Sequence, residues 1–75
     1  MHVDAELDAA GLNCPLPILK AKKALANLHS GQILNIIATD PGSAKDFEIF
    51  SQQTGHTLLA CREQDGRFYF LLQKA

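Results

Sequence analysis

The residues best able to do chemistry in this 75-residue chain are two cysteines, Cys14 and Cys61, and three histidines, His2, His29 and His56. The histidines are scattered without ligand spacing and the cysteines form no Cys-x-x-Cys pair, so neither a metal site nor a cofactor is expected. Cys14 stands out by its setting, because Gly11-Leu12-Asn13-Cys14-Pro15-Leu16-Pro17 closes an alternating run and opens a helical one. Proline suits the first helical turn, where its missing N–H would have had no partner, so Pro15 and Pro17 mark a helix start. The residue before a proline is driven out of the helical region, which makes Cys14 and Leu16 the two cap candidates. A helix N-terminus favours negative charge. The amides of Leu16, Ile18 and Leu19 are therefore expected to lower the thiol pKa and ready the sulfur as a nucleophile. The plainer alternative makes Cys14 a small residue tolerated between two structural prolines.

The elements that must hold Cys14 follow from periodicity. Val3, Ala5, Leu7 and Ala9 alternate with Asp4, Glu6 and Asp8, the pattern of a strand over about 3–9 with one apolar face. From Pro17 to Leu28, Ile18, Ala21, Leu25 and Leu28 share a helical face that Ala24 widens, and His29-Ser30-Gly31 is expected to end that helix. Lys20, Lys22 and Lys23 point elsewhere, as a solvated face or as a docking surface for an acidic partner. Residues 32–39 are apolar on both alternations, as in a central strand paired in parallel through a helical crossover. Asp40-Pro41-Gly42 then turns the chain.

Ser43 with Asp46 resembles a capping box opening a second helix to about Thr54, with Ala44, Phe47, Phe50 and Thr54 inward and Gly55 as its stop. Two strand-like runs, 57–64 and 67–74, flank Asp65-Gly66, a strong hairpin signal. Cys61, in mid-strand, is expected to fill space. Tyr69 and Leu71 fall on the alternation opposite Phe68, Phe70 and Leu72, leaving apolar surface uncovered if both helices lie on one side. Right-handed crossovers put them there, giving an α+β fold, a two-layer α/β sandwich of order βαβαββ. The ends of the first two strands, and with them Cys14 and Asp40, then meet at one edge.

Length allows one domain over residues 1–75 and no deep substrate cleft, so any chemistry belongs at an exposed site shared with a partner protein. Seven basic and eight acidic residues leave no electrostatic footprint for nucleic acid. The N-terminus lacks a signal-peptide layout and no apolar run reaches membrane-spanning length, so a soluble, cytoplasmic protein with free thiols is expected.

On these residues the chain resembles the small sulfur carriers of the TusA, SirA and YedF family. Leu7-Asp8, Gly11-Leu12 and Cys14-Pro15-Leu16-Pro17, the last fitting a Cys-Pro-x-Pro motif, carry the likeness together with Asp40-Pro41, Asp46, Gly55-His56 and the terminal hairpin. The resemblance implies a mixed four-stranded sheet of order 1-2-4-3, as in the C-terminal domain of translation initiation factor 3. It further implies that Cys14 takes sulfane sulfur as a persulfide from a cysteine desulfurase or rhodanese-type donor and passes it to a downstream acceptor protein. The TusA branch implies 2-thiouridine in tRNA as the endpoint, and other branches imply molybdenum-cofactor synthesis or sulfur oxidation. One position departs from the pattern: many members carry two acids before the proline, where this chain has Thr39 and Asp40. Asp40 reads as a turn residue or as a determinant of partner choice, and its charge, if near Cys14, opposes the helix.

Two further readings stand beside the carrier. The cysteine corner and the three lysines would serve a non-catalytic interaction module, or Cys14 and Cys61 a disulfide switch, which needs their Cα atoms within about 7 Å.

Overall fold

Ala5, Leu7 and Ala9, alternating with Glu6 and Asp8, form β1 (Ala5–Ala9), the first element of a computed structural model that describes residues 2–75. It is followed by α1 (Leu16–Ala26), β2 (Ile33–Ala38), α2 (Ser43–Thr54), β3 (Thr57–Gln64) and β4 (Arg67–Gln73). β1 and β2 run parallel, with Ala5 opposite Leu34 and Ala9 opposite Ala38. β4 pairs antiparallel with the other side of β2, and β3 antiparallel with β4, giving the order β1-β2-β4-β3. The expected βαβαββ succession and the sheet order implied by resemblance are both present.

Alternation along β2 decides how the layers stack. Leu34, Ile36 and Ala38 are fully buried against Ala21 and Leu25 of α1 and Phe47 and Phe50 of α2, with Phe70 and Leu72 of β4 beside them. The Phe47 and Phe70 ring centroids, 4.7 Å apart, lock α2 onto the sheet. Both helices thus cover one face. Ile37, Tyr69 and Leu71 lie on the other, only half-buried, which is the uncovered apolar surface a single helical layer leaves. The hairpin turn has positive φ at both central residues, 53° at Asp65 and 78° at Gly66, the twist that two antiparallel strands favour.

Four local expectations are corrected. α1 stops at Ala26 instead of Leu28, because the Lys74 Nζ donates to the Leu25 carbonyl at 2.8 Å and the Leu28 N–H tightens onto the same carbonyl at 3.0 Å. The C-cap is Asn27, whose N–H donates to the Ala24 carbonyl at 3.2 Å, and not His29-Ser30-Gly31. At α2 the N-cap is Gly42 with no side-chain cap bond, so Ser43 makes no capping box; it is the first helical residue, and its buried Oγ has no partner among the described residues. Thr54 is exposed, its hydroxyl donating to the Phe50 carbonyl at 2.7 Å, so it does not belong to the inward stripe. Cys61 is exposed on the edge strand β3 and fills no core. Among the described residues, no helix is long and apolar enough to cross a membrane and no group of His, Cys, Asp or Glu could hold a metal ion.

Candidate functional site

The corner that presents Cys14 is tied to the end of β2. The Gly11 N–H donates to the Thr39 hydroxyl at 2.8 Å and the Leu12 N–H to the Ala9 carbonyl at 3.2 Å. Thr39 thus has a structural task here. The Cys14–Pro15 peptide is cis, Pro15 is the N-cap of α1, and Pro17 is buried one residue into the helix. Neither Cys14 nor Leu16 caps. The Leu16 N–H is taken by the Asn13 carbonyl at 2.8 Å and the Leu19 N–H by the Pro15 carbonyl at 3.1 Å. Two of the three amides expected to face the sulfur are therefore already in use.

The start of α2 supplies the opposite wall. The Ser43 N–H donates to the Asp40 carbonyl at 3.0 Å and the Asp46 N–H to the Gly42 carbonyl at 3.1 Å, folding the Asp40-Pro41-Gly42 turn into the helix. A Cβ at Gly42 would lie 3.3 Å from Asp40 Oδ2 and 3.8 Å from Asp46 Oδ2, so both carboxylates gather around that glycine. Their effect on Cys14 reverses the sequence-based expectation. Hydrogen bonding to the Asp46 carboxylate, then desolvation, then the negative charges of Asp46 and Asp40 raise the thiol above its ordinary value. The acids beside the sulfur thus favour the protonated thiol.

Cys14 opens onto a shallow groove of about 170 Å³ between the helices, lined by Pro15, Ile18, Asp46, Ile49 and Phe50. That volume is below the roughly 300–1,000 Å³ of small-molecule pockets and suits one or two side chains of a docking protein. Leu16, Leu19 and Ile49, between 42% and 53% exposed, add apolar surface around it. Lys20, Lys22 and Lys23 are all exposed, on the side of α1 turned away from the buried Ala21 and Leu25. The structure thus brings together Cys14, Pro15 and Asp40 of the predicted set and adds Asp46. The sequence signal for Asp46 was its place in the first turn of a helix whose start the topology brings to the same sheet edge as Cys14.

The family model described as Sulfurtransferase TusA matches residues 5–74. The chain belongs to the TusA family. Within it, the sulfur carrier protein TusA of Allochromatium vinosum is 60% identical over 72 residues, covering 96% of this chain and 95% of that protein. The putative sulfur carrier protein YrkI of Bacillus subtilis is 45% identical over 74 residues, covering 99% of both. The crystal structure of a SirA-like protein from Desulfitobacterium hafniense superposes with a TM-score of 0.82 at 27% identity, covering 92% of this chain and 95% of that one. The TusA fold seen there is the α+β sandwich described above.

Proposed function

We propose that this protein is a sulfur carrier that holds sulfane sulfur as a persulfide on Cys14 and relays it between partner proteins in the cytoplasm. The observation that carries the reading is an exposed thiol at the open end of an apolar groove, with a carboxylate beside it. In the loading step the Cys14 sulfur attacks the outer sulfur of a donor persulfide. The donor's S–S bond breaks, the donor leaves as its thiol, and Cys14 gains one sulfur. Asp46 takes the thiol proton as the new S–S bond forms and the departing donor sulfur takes up a proton, so the exchange needs no outside oxidant or reductant. Unloading runs the same exchange toward an acceptor thiolate.

Because the acids favour the protonated thiol, ionisation is tied to docking. A basic group on a partner that neutralises Asp40, leaving Asp46 free to take the proton, lowers the thiol pKa where transfer must occur. Pro15 and Pro17 fix the helix start behind the sulfur, and Lys20, Lys22 and Lys23 offer charge to an acidic part of the partner surface. A cysteine desulfurase or rhodanese-type enzyme is the donor class this chemistry needs, with a second thiol protein as acceptor and tRNA 2-thiouridine as the endpoint that the TusA branch implies.

The raised thiol pKa favours one other reading, a surface that binds partners without carrying sulfur. One experiment separates them. Incubation with a cysteine desulfurase, pyridoxal phosphate and cysteine is expected to add one sulfur to the intact mass of the native chain and none to Cys14→Ser. Sulfur appearing only on Cys61, or on neither cysteine, overturns the carrier.

A further inference from the structure

The sheet face away from the helices carries one row of residues that runs across all four strands. Asp8 of β1 pairs with Ile37 of β2, Ile37 with Tyr69 of β4, and Tyr69 with Arg62 of β3. Read across the sheet, the row is acid, aliphatic, aromatic, base. The Arg62 guanidinium sits 5.1 Å from the Tyr69 ring centroid, which holds the base over the apolar centre. The neighbouring row places Glu6 beside Asn35, whose Nδ2 donates to the Glu6 carboxylate at 3.3 Å, and then Leu71. All of these side chains but Asp8, which lies at the open edge of the row, line a shallow trough of about 490 Å³.

A row of this order is complementary to itself when reversed. A two-fold axis parallel to the strands lays β1 of one copy over β3 of another and β2 over β4. Asp8 then faces Arg62 of the second copy, and Ile37 faces its Tyr69, each contact occurring twice. An axis across the strands would stack acid on acid. Aligned sheets pack about 10 Å apart and rotated by about 30°, an offset of roughly 4 Å at the sheet edge that an arginine spans. The molecule measures 30 × 24 × 17 Å, so its broad face offers a footprint close to the roughly 800 Å² per partner of a standard interface.

We infer that the uncovered sheet face is the interface of a two-fold homodimer in which Asp8 and Ile37 of each copy meet Arg62 and Tyr69 of the other. Pairing there leaves the groove beside Cys14 open, because that groove lies between the helices on the opposite layer. The inference does not depend on the carrier reading.

Sedimentation velocity of the full chain under reducing conditions tests it, at low salt and up to about 1 mM protein, a range that reveals even weak pairing. The native chain is expected to approach twice its 8.2 kDa mass and to dissociate as salt is raised. Asp8→Arg and Arg62→Glu should each be monomeric where the native chain is dimeric, since both contacts become like-charged. Mixed in equal amounts they should pair, because both contacts of the heterodimer are then of opposite charge. A native chain that stays monomeric overturns the inference, as do variants that remain dimeric alone or a mixture of folded variants that stays monomeric. Asp8→Arg also loses the 3.0 Å bond that the Ala10 N–H donates to Asp8, so a second measurement covers misfolding. In a half-labelled native sample, contacts between Ile37 methyls and the Tyr69 ring of the other copy should appear in isotope-filtered spectra. Their absence has the same consequence.

Discussion

Cys14 and Cys61 are both free and both exposed, yet they sit in different physical settings. Cys14 stands where the end of β1, the start of α1 and the first turn of α2 converge, beside two carboxylates and on the wall of a groove. Cys61 lies in the edge strand β3, opposite Phe70, in an element whose residues are almost all exposed. The difference teaches that solvent access does not select a working thiol. What selects it is concavity able to seat a partner and a charge environment that a partner can change.

The largest expected effect breaks this comparison outright if it fails. Under desulfurase loading, Cys14→Ser should lose all bound sulfur while Cys61→Ser keeps the native amount, read by intact mass. Equal loading of the two thiols would mean that concavity and charge are irrelevant. The next effect probes the charges. Asp46→Asn removes the hydrogen-bonded negative group that most strongly raises the Cys14 thiol, so its pKa should fall. Alkylation of Cys14 near neutral pH should then speed up, because more of the thiol is ionised, while Cys61 reacts as before. An unchanged Cys14 rate would remove Asp46 from the account.

Much of the fold was legible because local signals agreed. Alternation in β1, two-sided apolarity in β2, the Phe47 and Phe50 spacing and the Asp65-Gly66 turn all pointed to one arrangement. What stayed hidden depended on contacts distant in sequence. Nothing near Leu25 announces that Lys74 will cap its carbonyl, 49 residues away, and nothing near Gly11 announces Thr39. The site shows the same division. Cys14 was visible from its prolines, but the sign of its pKa shift was not, because local reasoning weighed the helix it begins and the Asp40 charge but not Asp46 of the helix it faces. Cys61 was misplaced for a related reason. Its alternation says which side of the sheet it points to, whereas burial also depends on β3 being at the edge.

A third effect concerns the groove wall. Ile49 is 42% exposed, so Ile49→Ser should cost only about 1 kcal/mol of stability, well short of a core truncation. Loading by a donor protein should nevertheless slow several-fold, since the rim loses apolar contact, while alkylation of Cys14 by a small reagent stays the same. Slowing of both reactions would place the effect on the thiol itself and not on docking. Phe50, 7% exposed beneath the same groove, cannot make this distinction, because Phe50→Ala is expected to cost about 3–5 kcal/mol of stability.

The smallest effect lies on the hairpin side, at the residue before β3. Burial, aided by the charge of Lys74, lowers the His56 pKa, and its Nδ1 accepts the Ala75 N–H at 3.0 Å, so the fold favours the neutral ring. An imidazole with a depressed folded pKa contributes stability that is present above its unfolded value, about 6.5, and is lost as pH falls through the folded one. Between pH 7.5 and 5.5 the native chain should therefore lose slightly more Tm than His56→Gln does. The His56 ring is 5.9 Å from that of Phe50, whose side chain also lines the Cys14 groove. This measurement therefore bears on whether the two thiol settings are separate. His56→Gln should leave Cys14 alkylation unchanged at neutral pH. If it does not, Phe50 transmits between the hairpin and the groove, and the two cysteines belong to one coupled surface.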